Sequence, residues 1–331
     1  MKRRNLLKLA VAGAGLTIAG VPLHLLAAAK KDGVLNVLVQ PEPPGLMLGI
    51  TQNGPTQLIA GNIYEGLLRY DDKLNPLPSL ATSWTVNKEG TLYTFKLKPN
   101  VTWHDGKPFT SADVVFSADV FLRKTHARFR ANLESVESIR AIDPLTVEFK
   151  LKRPFGPFLG IFETGTMPMI PKHIYDGTDF VTNPANATPI GTGPFKFKEW
   201  VKGSYVLLTA NESYHVKDTP LIGSLYFHII PDAASRAAAF ESGKIDIVPG
   251  GAVEYFDVVR LSKLPGAQVS TKGWEFFAPH SWLWLNNRKA PMDSIKFRQA
   301  VMYAIDREAM AKIAWHGFAK PATGPFNSNI K

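Results

Sequence analysis

Cysteine is absent from the 331 residues, which excludes disulfides, thiolate metal sites, a cysteine nucleophile and a lipidated cysteine anchor. A chain of this length can bury enough core for two domains without such cross-links. Histidine is sparse: no two of the eight stand three to five residues apart, so no zinc site of helical spacing is expected. No G-x-S-x-G elbow occurs, which disfavours an esterase-type hydrolase. Gly191-Thr192-Gly193-Pro194-Phe195 is no dinucleotide loop, because Pro194 interrupts it; it reads as a tight turn into a strand. Gly243-Lys244 is followed by Ile245, where a phosphate loop needs Ser or Thr. Low-complexity stretches are missing, and so are Arg/Lys clusters interleaved with aromatics, so nucleic acid is not an expected partner.

What is present is the composition of a folded globular body, 45% hydrophobic and 20% charged. The net charge is +10; removing Lys2, Arg3, Arg4 and Lys8 leaves +6 on the remainder, a surplus that favours anionic partners or solubility. Those four residues open a segment that continues LAVAGAGLTIAGVPLHLL and ends in Ala27-Ala28-Ala29. A basic start, a weakly apolar stretch and small residues before the cleavage point make an export signal over residues 1–29. The Arg pair followed by Asn5, two leucines and Lys8 is similar to a twin-arginine signal, with cleavage expected after Ala29 and a periplasmic mature protein. Pro22 and His24 argue against a stable membrane span.

Along the rest of the chain, Val34 to Val39 is a β-branched run that predicts a buried first strand. Thr56 is the expected N-cap of a helix reaching Leu68, and Leu74 to Leu80, with two prolines, is expected to run extended. Thr91 to Lys98 and Leu145 to Lys152 alternate apolar and polar, and predict two strands of one small sheet. Thr110 with Asp113 fits a capping box, and Phe109 with Val114 a hydrophobic staple. A further capped helix is expected from Asp232 to Ser242, closed by Gly243, and Ser294 to Ile305 is amphipathic, with Asp306 ending it and capping a successor. Leu225 to Ile230 and Ile245 to Val248 are expected strands around the Asp232 helix, an α/β arrangement, and Val253 to Lys263 a further helix.

Two motifs could carry chemistry. Trp103-His104-Asp105-Gly106-Lys107-Pro108 places a His beside an acid, but Asp-Gly between ordered segments reads as a structural turn. In Phe276 to Asn287, Trp282 and Trp284 alternate with Leu283 and Leu285, so a strand there would turn both indoles to one face. Such a pair is either core or the aromatic wall of a ligand cleft.

Several motifs stand in one order: IYEGLLRYDDKLNPLPSLATSW through WHDGKPFTSADVVFS from Ile63, Thr188 to Phe195, Arg236 to Asp246, and Asn286 through Phe297-Arg298-Gln299-Ala300 to Glu308. In order and spacing the chain resembles the family 5 solute-binding proteins of ABC importers, similar to the dipeptide- and oligopeptide-binding types. The resemblance implies an α/β fold of the periplasmic-binding-protein-like kind (type II, cluster C), with two lobes that close on a ligand and an extra subdomain. Lobe one would comprise residues 33–80 and 187–270, the subdomain 81–186, and an incomplete lobe two 271–331, a truncated or split product that leaves apolar faces uncovered near Val301, Ile305 and Ile313.

In such proteins peptides are clamped by strand addition. The resemblance puts the ligand edge of lobe one at Gln52, Asn53 and Gly54, and sets Pro279, Trp282 and Trp284 toward the cleft. It implies no enzyme activity, no cofactor and no resident metal. The implied partners are a peptide or peptide-like solute and ABC permease subunits, bound by a monomer. A nickel-chelate or haem receptor of the same fold, with His280 beside Trp282 as its only local hint, and a peptide-binding chaperone are the alternatives.

Overall fold

Ile63 to Gly66 crosses the middle of the molecule in a computed structural model that describes residues 33–272 and 281–324. The export segment and Pro279 lie outside the described residues.

The first sheet has the order β1-β10-β9-β8, from β1 (Val34–Val39), β8 (Phe195–Val201), β9 (Tyr205–Ala210) and β10 (Ser224–Ile229). β1 runs parallel to β10, while β10–β9 and β9–β8 are antiparallel. β1 is buried only in its second half. Ile245 to Val248 is not a strand; a single parallel bridge joins Val37 to Ile247, and the Asp246 carboxylate caps the N–H of Asn36 at 2.8 Å instead of extending a ladder.

The chain leaves this sheet after β1 and returns only at β8. In between, β2 (Leu68–Tyr70) pairs with β3 (Pro76–Pro78), so the proline-rich run is extended as expected and sits in a two-stranded ribbon. A second sheet of order β4-β5-β7-β6 follows, from β4 (Ala81–Val86), β5 (Leu92–Leu97), β6 (Val136–Asp143) and β7 (Thr146–Leu151), all antiparallel neighbours. The two alternating segments read from sequence are the paired strands β5 and β7. Tyr93, Phe95 and Leu97 face inward with Val147, Phe149 and Leu151. Phe162 closes on both strands, with ring centroids 4.5 Å from Phe95 and 5.1 Å from Phe149; such pairs contribute about 0.5–1.5 kcal/mol each beyond burial.

Helices begin where local chemistry satisfies their free N–H groups. Asp113 accepts from the N–H of Thr110 at 2.9 Å, and the staple residues Phe109 and Val114 are both buried. The helix widens into a π-helical stretch at Phe116–Leu122. There the Ser117 hydroxyl donates to the Asp113 carbonyl at 2.6 Å and accepts from Ile170 at 2.8 Å, competing with regular helix bonding. Asp232, Ser294 and Asp306 each cap their helices, Ala233–Glu241, Ile295–Ala304 and Arg307–Ala314. Gly243 closes the first of these at φ +73°. A helix also occupies Tyr255–Leu261.

The expected first helix also differs. The helix placed at Thr56–Leu68 is Gly54–Ala60, capped by Asn53 rather than Thr56. Pro55 supplies a fixed φ at the first turn and the chain ends the helix at Gly61. Ile63 to Gly66 is thereby freed to run between the sheets. Its carbonyl at Ile63 accepts from Gly193 at 2.9 Å, and Asn62 accepts from Phe195 at 3.1 Å. A Cβ on Gly191 would lie 1.9 Å from the Ile63 oxygen, and one on Gly193 2.6 Å from it. Both glycines are required by backbone contact.

One continuous hydrophobic cluster runs from β1 and β10 through Ile63, Tyr64 and Leu67 into Phe95, Phe149 and Phe162, so the two sheets share a core. A smaller cluster packs the Ala233–Glu241 and Tyr255–Leu261 helices beside Leu38. The helices Ile295–Ala304 and Arg307–Ala314 bury no residue, and Tyr303 is 91% exposed.

Gly191→Ala is expected to cost about 3 kcal/mol or more in urea unfolding. Gly160→Ala, whose Cβ meets nothing within 4 Å, should stay within about 0.5 kcal/mol. Equal effects of the two would contradict the close-approach assignment.

Candidate ligand-binding site

Gln52, Asn53 and Gly54 form the entrance to the first helix. The Asn53 side chain is taken by its cap, accepting from Thr56 N at 2.8 Å, and the Gln52 carbonyl accepts from Gln57 Nε2 at 2.9 Å. Asn53 and Gly54 are exposed, and nothing lies within 4 Å of the Gly54 Cβ position. The N–H groups of Gln52, Asn53 and Gly54 make no hydrogen bond to another described residue. What the edge offers is therefore donors, in a short extended turn rather than a strand.

Trp282 and Trp284 lie outside both cores. They are 51% and 87% exposed, and their ring centroids stand 6.3 Å apart at 40°. Residues 281–286 are not a strand, yet the alternation still brings the two indoles side by side. Among the described residues Trp282 is half-exposed and Trp284 largely exposed. Edge and indoles are carried by separate segments: the first by the main core, the second by the stretch whose helices bury nothing.

Beneath the Ile63–Gly66 crossing lies a polar knot that the sequence did not disclose. The Glu65 carboxylate is buried and accepts from Thr192 Oγ1 at 2.9 Å, from the Tyr214 hydroxyl at 2.9 Å, and from His215 Nε2 at 2.9 Å. Burial, followed by the adjacent Glu65 charge, pushes the Tyr214 phenol far above its ordinary range, so it stays a donor. His215 Nδ1 is buried and has no partner among the described residues. The Glu65 carbonyl also accepts from Met169 at 2.9 Å. The knot thus ties the crossing to three other segments and holds the helix entrance in place.

His104 belongs to the same support. The Trp103–Pro108 motif is the structural turn read from sequence, closed by Trp103 N–H to the Lys107 carbonyl at 2.8 Å with Gly106 at φ +87°. His104 Nδ1 accepts from Gly191 at 3.3 Å and Nε2 donates to the Gly193 carbonyl at 3.0 Å, which fixes the neutral tautomer. Among the described residues no group of three or more His, Cys, Asp or Glu is placed to hold a metal, and no helix is long and apolar enough to cross a membrane.

Comparison with known proteins gives a consistent match. The model of the bacterial extracellular solute-binding proteins, family 5, matches residues 75–331. A putative ABC transporter peptide-binding protein of Brucella ovis is 35% identical over 97% of this chain and 60% of its own length. The glutathione-binding protein GsiB of Pectobacterium atrosepticum is 28% identical over 83% of this chain and 52% of its own. Among solved structures, the oligopeptide-binding protein AppA of Bacillus subtilis with a nonapeptide superposes with a TM-score of 0.77 at 30% identity, covering 91% of this chain and 59% of that one. NikZ of Campylobacter jejuni with Ni(L-His) does so with a TM-score of 0.73 at 28% identity, covering 89% and 58%. The chain therefore spans 52–60% of the length of these curated relatives.

Burial holds the His104 pKa at about 4, against 6.5 ordinarily. The native state refuses a proton that the unfolded chain accepts below pH 6.5. Stability from this group is full above that value and is lost as the pH falls toward 4, by roughly 3 kcal/mol. His104→Gln should flatten the pH dependence of urea unfolding in that window; identical slopes in both proteins would contradict this assignment.

Proposed function

The chain belongs to the bacterial extracellular solute-binding proteins of family 5, and from that premise we propose that it is the substrate-binding component of an ABC importer, taking a peptide or peptide-like solute. Residues 33–80 and 187–270 act as the first lobe, 81–186 as a subdomain fused to it, and 271–331 as the opening part of the second. The family is a class of transport components, not of enzymes, and the expected chemistry here is capture without covalent change.

The observation that carries this reading is the exposed indole pair. Trp282 is half-exposed and Trp284 largely exposed, and exposed apolar surface costs about 25 cal/mol per Å² until something covers it. A ligand gripped between the lobes would cover them, as the aromatic wall of a mostly apolar site. On the other side, the N–H groups of Gln52, Asn53 and Gly54 supply donors for the carbonyls of an extended peptide, the strand-addition mode. Pro279 joins this set by the resemblance alone. Residues 1–29 fit a twin-arginine export signal, which would deliver the protein to the periplasm, where it meets the permease as a monomer.

A nickel chelate is the nearest rival, since a chelated metal brings its own ligands and needs no protein cluster. Native mass spectrometry of the exported protein separates the two: a ladder of peptide adducts is expected, whereas a metal adduct alone would favour the rival. With the ligand so identified, Trp282→Ala with Trp284→Ala should abolish the fluorescence change on its addition. An unaltered change would remove the indoles from the site.

A further inference from the structure

A second concavity opens where the Trp103–Pro108 turn meets the start of β8. It is an open depression of about 280 Å³ lined by His104, Asp105, Thr188, Ile190, Lys196 and Phe197, among others. None of these belongs to the edge or to the indole pair. The volume falls just below the roughly 300 Å³ at which drug-sized pockets begin, so an occupant must be smaller than a peptide.

Its charges are arranged unusually. Lys196 and Asp105 line the same cavity yet form no ion pair with each other within 4 Å. Each is held by a different neighbour: Lys196 Nζ donates to the His104 carbonyl at 3.0 Å, and Asp105 Oδ2 accepts from His173 Nε2 at 2.7 Å. Because His104 and Asp105 are adjacent in the chain, the ammonium is pinned one residue from the carboxylate and still kept off it. Both retain capacity, since an ammonium has three donors and a carboxylate about four acceptor positions. Burial works to raise the Asp105 carboxyl, but the His173 hydrogen bond and the Lys107 N–H outweigh it and hold the pKa below the usual carboxylate value. His104 stays neutral, so it adds no competing charge. Ile190 and Phe197 supply half-buried apolar wall, and Thr188 an exposed hydroxyl at the mouth.

We propose that this pocket is an accessory site for a free α-amino acid with an apolar side chain, its carboxylate on Lys196, its ammonium on Asp105, and its side chain against Ile190 and Phe197. A zwitterion carries both charges needed to meet Lys196 and Asp105 at once, beside the His104 carbonyl and the His173 ring that already hold them. A simple anion would leave Asp105 facing it, and a simple amine would meet Lys196. The site joins the turn of the inserted segment to β8, so its occupancy would also brace that seam.

The test uses the full mature chain and L-leucine as probe, followed by isothermal titration calorimetry and ligand-observed NMR. Leucine should bind, while 4-methylpentanoate and 3-methylbutylamine, each lacking one charge, should bind about tenfold more weakly or worse. Asp105→Asn, which still accepts from His173, and Lys196→Met should each weaken leucine by about tenfold or more. The Trp282→Ala, Trp284→Ala protein should bind leucine unchanged. No leucine binding, single-charge analogues that bind as well, an effect in only one charge variant, or loss in the tryptophan variant would each overturn the proposal. The analogues decide the matter even where a variant fails to fold.

Discussion

The Ile63 carbonyl, approached within bonding distance by backbone on which no side chain fits, is the contact on which the rest depends. Gly191 and Gly193 let the returning chain lie directly against the outgoing one, and Glu65, Gly66 and Leu67 then distribute that contact to Thr192, Tyr214, His215, Thr164 and Ala81. The inserted sheet leaves and rejoins the first sheet at this one place. Because the crossing is sealed by backbone hydrogen bonds and a fully engaged carboxylate, the two sheets share one hydrophobic core rather than flexing about a linker.

The opposite side contrasts with this. The stretch from Ser281 to Gly324 contributes exposed indoles and two capped helices that bury nothing. Capping and sequence propensity suffice to define these helices locally, but no core covers them.

Much of the fold was legible because its signals are local. Thr110 with Asp113, Asp232 and Asp306 all cap as their spacing said, since a cap is settled within three residues. The period-two strands β5 and β7 paired with each other because each had a full apolar face to bury. The first helix was misjudged where two good caps, Asn53 and Thr56, compete and Pro55 favours the earlier one. Ile245 to Val248 resembled a strand, but only Ile247 finds a bridge. The Glu65 knot could not be seen: its partners lie 127 to 150 residues away, and neither residue type nor spacing marks them. The indole pair was visible as alternation, but core and cleft give the same pattern in sequence. The Asp105–Lys196 pocket was hidden for the same reason as the knot, being assembled from a turn and a strand 91 residues apart in sequence.

The most direct test of the account is hydrogen–deuterium exchange with and without an oligopeptide shown to co-purify with the protein. Slowed exchange confined to the amides of Gln52 to Gly54 and of Ser281 to Asn286, with the Ile63–Gly66 crossing protected in both states, is the predicted result. Unchanged exchange at both segments, or a crossing that opens independently of the sheets, would contradict it.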